Sequence, residues 1–249
     1  MLIGIDLGSR AIKLVALADG AWLHSEAQES GFDPRRQALA MLEKYPASRV
    51  VATGYGRHLA QRHFASEAIT EIKAHALGAR HLFPECSTIL DVGGQDCKVI
   101  RLDRAGRVVN FQMNDKCAAG TGRFLEIMAA ILGYDLEEFG AAALSSRHET
   151  AINSMCAVFA ESEVISMKNL GLPPADIARA VHLSVANRLA AMLNRAAPAG
   201  GPLVFSGGVA KNPCLVALLT QQTGSQVLVP PAPAMVGALG AALHALGGA

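Results

Sequence analysis

The chain has 249 residues, 51% hydrophobic and 17% charged, and its 22 Lys and Arg residues nearly balance 21 Asp and Glu residues. This length suffices for one large or two modest domains with their own cores. The balanced charge excludes the electrostatic footprint of a nucleic-acid-binding protein. No apolar stretch reaches the roughly 18 residues of a membrane span, and the first residues lack a signal-peptide pattern. We therefore expect a cytoplasmic protein with no nucleic-acid or membrane partner.

The first third of the chain alternates strand and helix patterns. Three strand-like runs lie within residues 2–29, and a helix is predicted from Pro34 to about Tyr45. A buried strand is predicted over 49–53, and helical patterning resumes over 67–82. The pattern is therefore three strands, then helices with a further strand between them.

The same order then recurs. Strands are predicted from Ser87, over 96–102 and over 107–113, again followed by helices. Such a duplication is the organisation of the α/β fold shared by actin, hexokinase and the ATPase domain of heat-shock chaperones, of the ribonuclease H-like type. We predict this two-lobe fold, with lobe I at 1–86, lobe II at 87–234 and the nucleotide in the cleft between the lobes.

The last part of the chain is predicted to be mainly helical. Apolar residues recur at helical spacing over 124–132, and further helices are predicted over 157–170 and after Pro174. These helices are expected to cover the second sheet. The small-residue helix at 235–249 is expected to pack back onto lobe I.

A matched motif marks the first hairpin of each lobe. Asp6-Leu-Gly8-Ser-Arg-Ala-Ile-Lys13 corresponds to Asp91-Val-Gly93-Gly-Gln-Asp-Cys-Lys98. Glycines allow backbone N–H groups to approach a phosphate, and a carboxylate at a strand end can hold hydrated Mg²⁺. The predicted metal-bearing carboxylates are Asp6 and Asp91. The residues predicted to contact ATP are Gly8, Ser9, Lys13, Gly93, Gly94 and Lys98.

Each hairpin alone also fits an ordinary turn that uses Asp and Gly. A lysine at a strand position is moreover more often solvated than bound to phosphate. Because the motif occurs twice, we favour nucleotide binding. Gln95 and Asp96 follow the second turn and are the candidates to position the attacking water.

A third glycine loop follows the strand predicted at 202–206. Its residues Gly207 and Gly208 precede a helix, where a flat ring or a phosphate can lie against the backbone. A Gly-Gly pair alone is weak evidence. Within a duplicated fold, Gly207, Gly208 and Lys211 are predicted to form the adenosine side of the site.

The five cysteines contain no Cys-x-x-Cys pair, and their number is odd. Neither a disulfide framework nor a self-contained zinc or iron–sulfur site is therefore indicated, and any cluster needs ligands from outside the chain. Most free cysteines are small buried hydrophobic residues. We assign this packing role to Cys86, Cys97 and Cys214.

The other two cysteines carry a family resemblance. The segments Asn114-Asp-Lys-Cys117-Ala-Ala-Gly-Thr-Gly and Asn153-Ser-Met-Cys156-Ala-Val-Phe-Ala-Glu resemble those of the ATP-dependent activators of 2-hydroxyacyl-CoA dehydratases. That family includes the ATPase subunits of benzoyl-CoA reductase. The nucleotide loops at 91–98 and 206–212 resemble the same family, so the likeness spans essentially the whole chain.

The resemblance implies a homodimer that holds one 4Fe-4S cluster between its subunits, with Cys117 and Cys156 of each subunit as ligands. Both cysteines directly precede predicted helices, where free N–H groups favour a thiolate and an anionic cluster. The implied function is an ATP-hydrolysing electron donor. It would take electrons from ferredoxin or flavodoxin and pass them to a separate iron–sulfur enzyme: a 2-hydroxyacyl-CoA dehydratase, a benzoyl-CoA reductase core or a double-cubane protein.

Two other functions are compatible with the fold. A small-molecule kinase, such as a sugar kinase, would need a catalytic Asp beside a sugar pocket, where the 103–120 stretch instead offers Cys117-Ala-Ala-Gly-Thr-Gly. An ATP-dependent chaperone or scaffold would leave the two cysteine motifs unexplained.

Overall fold

A computed structural model describes residues 1–148, 150–154, 156–197 and 201–247. Within these ranges the strands form two five-stranded sheets. The strands are β1 Leu2–Leu7, β2 Ala11–Ala18, β3 Ala21–Glu29, β4 Arg49–Thr53, β5 Glu67–Ala68, β6 Thr88–Val92, β7 Cys97–Leu102, β8 Val108–Asn114, β9 Leu203–Ser206 and β10 Val227–Leu228. The helices are α1 Pro34–Leu42, α2 Arg57–His63, α3 Glu71–Leu82, α4 Gly122–Leu132, α5 Leu136–Ser145, α6 Ala157–Asn169, α7 Pro174–Ala196, α8 Pro213–Thr223 and α9 Val236–Gly247.

The two sheets have the same strand order. The first is β3-β2-β1-β4-β5 and the second, from the corresponding edge, is β8-β7-β6-β9-β10. In the first sheet β1 pairs antiparallel with β2 and parallel with β4, and in the second β9 pairs parallel with β10. Every strand of one sheet therefore has a counterpart in the other, which confirms the predicted duplicated α/β fold.

The chain packs as two compact units. The first contains Met1–Ile89, Ile100–Asn110 and the C-terminal segment from Pro230, and the second contains Leu90–Val99 and Phe111–Val229. In the described residues no helix combines the length and apolar character needed to cross a bilayer.

In the first unit, β1 and β2 are covered on both faces. One face packs on α1 and α2, through residues such as Met41 and Ala60, and the other packs on α9. Small residues allow α9 to approach closely, because a side chain on Gly4 would collide with the Ala238 carbonyl and one on Gly240 with the Ala74 carbonyl. The last two residues of the helix predicted at 235–249 lie outside the described residues.

In the second unit, α4, α5, α7 and α8 surround one hydrophobic core. Phe124, Phe139 and Phe205 are fully buried in it, and α7 contributes a long apolar stripe that includes Val181 and Leu189. The helices predicted over 124–132 and 157–170 are therefore present with nearly the predicted limits.

Four elements were not predicted. Helices α2 and α5 and the two-residue strands β5 and β10 carry little of the periodic apolar signal on which the predictions relied. The helix predicted from residue 67 begins instead at Glu71, because Thr70 Oγ1 caps it by accepting from the Lys73 N–H.

Candidate functional site

In the first unit, the first predicted phosphate hairpin contains a paired aspartate and lysine. Asp6 on β1 is the cross-strand partner of Lys13 on β2, and Lys13 Nζ lies 3.1 Å from Asp6 Oδ2. A Cβ atom on Gly8 would lie only 2.8 Å from Lys13 Nζ. The glycine therefore keeps the lysine amine and the turn free of an intervening side chain.

The second unit contains the equivalent pair in a more buried setting. Lys98 is 2% exposed, and its Nζ lies 3.5 Å from Asp91 Oδ2 and 2.6 Å from Asp96 Oδ2. The alternative of a solvated strand lysine is therefore wrong for Lys98. Two carboxylates around one ammonium leave a net negative charge, which suits a divalent cation.

The third predicted loop adds a hydroxyl to the Asp91 carboxylate. Ser206, the last residue of β9, is fully buried, and its Oγ donates to Asp91 Oδ1 at 3.0 Å. Gly207 follows with φ of 86°, and a Cβ atom there would collide with the Val92 carbonyl. Gly207 therefore lets the loop lie directly beside the second hairpin.

Three further predicted site residues, Gln95, Asp96 and Lys211, are fully or partly exposed to solvent. Gln95 and Lys211 are exposed, whereas the Asp96 carboxylate is held by Lys98. The Asp96 carbonyl also accepts from the Gly93 N–H at 2.9 Å, which closes the second turn. The roles assigned to Gln95, Asp96 and Lys211 stay predictions.

Hydrogen bonds join the second turn to the helix that follows the first cysteine motif. The N–H groups of Gly122 and Arg123, at the start of α4, donate to the carbonyls of Gly93 and Gly94 at 2.9 and 2.8 Å. Orphan donors of a helix N-terminus are thus used to hold the turn. No residue pattern predicted this connection, because it depends on backbone groups.

The first cysteine motif also contacts the strand that carries Lys98. Asn114 Nδ2 donates to the Cys117 carbonyl at 2.9 Å, and the Cys117 N–H donates to Asn114 Oδ1 at 3.2 Å. The same Nδ2 lies 3.9 Å from the Cys97 sulfur. Asn114 therefore fixes the Cys117 backbone next to β7.

The second cysteine motif is held by two charged side chains. The Glu163 carboxylate accepts hydrogen bonds from the backbone N–H and the side chain of both Asn153 and Ser154, at 2.8 to 3.2 Å. Arg188 on α7 donates to the Ser154 carbonyl at 2.9 Å. Burial raises the pKa of Glu163, but these hydrogen bonds outweigh it and lower the pKa overall.

The five cysteines fall into two groups. Cys86, Cys97 and Cys214 are buried, as the packing role requires, and burial raises the pKa of Cys97 to about 11 and that of Cys214 in the same direction. Cys117 and Cys156 are exposed, and each occupies the position just before a helical turn without using its sulfur as a cap. Within the described ranges, no three His, Cys, Asp or Glu side chains group closely enough to bind a metal ion.

The matched sheets, each with an aspartate–lysine pair at its first hairpin, define the class of actin- and hexokinase-like ATPases. A ROK family glucokinase from Streptomyces griseus has this fold, with a TM-score of 0.62 at 13% identity over 99% of both chains. The particular family follows from a stronger likeness: residues 3–245 match the model of the BadF/BadG/BcrA/BcrD ATPase family, and the chain belongs to it.

Relatives with names that state a function are close in sequence. The chain is 41% identical to the 2-hydroxyisocaproyl-CoA dehydratase activator of Clostridioides difficile, over 97% of this chain and 93% of the relative. It is 40% identical to the (R)-2-hydroxyglutaryl-CoA dehydratase activating ATPase of Acidaminococcus fermentans, over 98% and 96%. A component of the benzoyl-CoA reductase of Thauera aromatica is 32% identical over 96% and 91%.

A solved structure agrees with this assignment. The activator of the 2-hydroxyisocaproyl-CoA dehydratase from Clostridium difficile, with bound ADPNP, superimposes with a TM-score of 0.91 at 40% identity, over 99% of this chain and 94% of that one.

Proposed function

We propose that this chain is an ATP-dependent activator that uses Mg·ATP hydrolysis to drive electron transfer into a separate iron–sulfur dehydratase or reductase. Support comes from relatives that activate acyl-CoA dehydratases and from a solved relative that binds ADPNP, an ATP analogue. Asp6 and Asp91 are each proposed as a ligand of hydrated Mg²⁺. Gln95 and Asp96 would position the attacking water, with Asp96 held by Lys98.

The observation that carries this proposal is that hydrogen bonds tie the second phosphate turn to the start of α4, a short segment after Cys117. Gly93 and Gly94 accept from the start of α4, and the Cys117 carbonyl is bound by Asn114 beside β7. Movement of the turn with the state of the bound phosphates would therefore move the start of α4, and through residues 118–121 the segment that bears Cys117. A kinase would have no use for such a path to an exposed cysteine.

The donor set of one chain fits half of a cubane cluster. A 4Fe-4S cluster requires four thiolates, and each chain offers two exposed cysteines, Cys117 and Cys156, so two copies would complete the set. When bound, the cluster would supply a one-electron carrier, with ferredoxin or flavodoxin as the proposed donor. Cys156 directly precedes α6, and the first N–H groups of that helix favour an anionic group at this position.

Exposed apolar residues close in sequence to both cysteines support the homodimer. Phe111 and Met113 on β8 precede Cys117, and Val158 and Phe159 on α6 follow Cys156, all between 45% and 68% exposed. Such side chains are uncommon on a free surface and typical of an interface core. A second copy of the chain is the occupant that would also bring the two missing thiolates.

Anaerobic purification with iron analysis tests this function. The wild-type dimer should contain about four irons. Cys117→Ala and Cys156→Ala should lose iron but still bind ATP, whereas Cys97→Ala should keep its iron as a matched control. A colourless wild-type protein that phosphorylates a sugar would overturn the proposal. The sugar-kinase alternative has only the shared fold in its favour.

A further inference from the structure

The loop after β4 in the first unit matches the loop after β9 in the second. Strand β4 ends at Thr53 and is followed by Gly54, and β9 ends at Ser206 and is followed by Gly207. Both glycines have a positive φ, 89° and 86°. Because β4 and β9 occupy equivalent positions in the two sheets, these loops are structural counterparts.

Both loops press against the strand that carries the phosphate-site aspartate. A Cβ atom on Gly54 would collide with the Asp6 carboxylate and lie 2.7 Å from the Leu7 carbonyl oxygen. On Gly207 the equivalent atom would collide with the carbonyl of Val92, which follows Asp91 as Leu7 follows Asp6. The Gly56 N–H also donates to the Leu7 carbonyl at 2.9 Å, which anchors the first loop.

The two loops differ at the hydroxyl group. Ser206 Oγ donates to Asp91, whereas Thr53 Oγ1 has no hydrogen-bond partner among the residues that the structure describes. Thr53 is nevertheless fully buried and is the parallel-strand partner of Asp6. Side chains of paired residues on adjacent strands lie on the same face of a sheet, so the hydroxyl and the carboxylate are neighbours.

A buried hydroxyl without a partner destabilises a fold, and valine would fill the same space without that cost. Threonine at this position therefore needs a reason other than packing. The matching bond in the second unit supplies one, because Thr53 is paired with Asp6 and carries the same hydroxyl that Ser206 donates to Asp91.

We infer that Thr53 is a positioning residue for Asp6, and that its hydroxyl donates to the Asp6 carboxylate when Mg·ATP binds. The bond holds one carboxylate oxygen and thereby orients the other toward the hydrated metal, as outer-shell partners do at metal sites. This inference rests on the proposed ATPase function. It also gives the segment 53–56, which the residue pattern predicted only as the end of a strand, the role of supporting the Asp6 carboxylate.

The test compares Thr53→Val with Thr53→Ser in the full-length protein. Thr53→Val should raise the Mg²⁺ concentration for half-maximal ATP hydrolysis about tenfold or more, the effect of losing a hydrogen bond to a charged group. Its melting temperature should equal or exceed that of the wild type, because an unpartnered hydroxyl has been removed. Thr53→Ser should retain the wild-type Mg²⁺ dependence. ADP binding in EDTA should be the same in all three proteins.

Two results would overturn the inference. One is a Thr53→Val protein with wild-type Mg²⁺ dependence, and the other is a loss of activity that tracks a lower melting temperature. Calorimetric titration of ADP with and without Mg²⁺ gives the same comparison without turnover. A wild type that fails to hydrolyse ATP would refute the proposed function, whereas the calorimetry would still decide the role of Thr53.

Discussion

The ammonium group of Lys98 is buried against the carboxylate of Asp96, with 2.6 Å between Nζ and Oδ2. Asp91 Oδ2 lies 3.5 Å from the same nitrogen. This lysine is therefore the charge that allows two acidic groups to share one turn.

Replacement of Lys98 by methionine should destabilise the protein strongly. Lys98→Met removes the ammonium group that lies beside the nearly buried Asp91, and breaking a buried pair costs about 3 kcal/mol or more. The free energy of unfolding, measured by urea denaturation, is the readout. Lys13→Met is the matched control, and its loss should be smaller because Lys13 and Asp6 are more exposed, at 20% and 10% of their side chains. Equal losses would contradict the different burial of the two sites.

Removal of the Glu163 carboxylate should free the Cys156 segment. Glu163→Ala abolishes the hydrogen bonds to Asn153 and Ser154, so we expect a lower iron content per dimer after anaerobic purification. Glu161→Ala, on the same helix but outside this set of bonds, should retain the wild-type iron content. Equal iron in both variants would show that the bonds do not position Cys156.

Acid should weaken the fold through His182. Burial lowers the pKa of this histidine from 6.5 to about 4, despite its 2.7 Å contact with the Ala178 carbonyl. Between about pH 6.5 and pH 4, His182 is protonated in the unfolded chain but neutral in the folded one. The free energy of unfolding therefore decreases as the pH falls through this range. From about pH 7 to about pH 5 the loss due to this group is about 2 kcal/mol.

The variant His182→Gln isolates that effect, because the other titrating groups remain. Its free energy of unfolding should fall less than that of the wild type over the same pH interval, by about the 2 kcal/mol assigned to His182. Parallel curves for the two proteins would mean that the imidazole titrates normally in the fold.

Close packing of α9 should make Gly240 intolerant of a side chain. Gly240→Ala places a methyl group against the Ala74 carbonyl, and overpacking of this kind costs about 1–3 kcal/mol. Gly247→Ala, where no atom of the described residues beyond its chain neighbours lies within 4 Å of the added carbon, should leave the melting temperature unchanged or raise it. The melting temperatures of the two variants separate the cost of the contact with Ala74 from the general effect of replacing a helical glycine by alanine.

Alkylation should distinguish the two groups of cysteines. In the apoprotein at about pH 8, iodoacetamide should modify the exposed Cys117 and Cys156. Cys97 should stay unmodified, because burial both shields it and raises its pKa to about 11. Peptide mass spectrometry after a short reaction gives the pattern. Early modification of Cys97 would contradict its packing role.

Local signals explain which parts of the fold were predicted. The Asp-x-Gly turns, the strand triplets and the helix at 124–132 are encoded by neighbouring residues, and the structure contains them. Helices α2 and α5 depend instead on tertiary packing. In α5, for example, Gly140 is required because a side chain there would lie 2.7 Å from Asn212 Oδ1.

The candidate site also contains some features that neighbouring residues encode and others that depend on tertiary packing. The two matched Asp-x-Gly motifs with their lysines were recognised from the sequence because each motif lies within one hairpin. The contact of each lysine with its aspartate was not predicted. The bonds of Ser206 to Asp91 and of Arg188 to Ser154 join residues far apart in sequence, and no local pattern predicts them.

By itself, the sequence determined the duplicated hairpins, the five cysteines and the family that their motifs resemble, because these features are set by residue identity and short spacing. Tertiary structure alone decided that Lys98 is buried, that only Cys117 and Cys156 among the cysteines are exposed, and that Thr53 is the counterpart of Ser206. The physical reason is that burial and parallel strand pairing depend on which distant segments pack together.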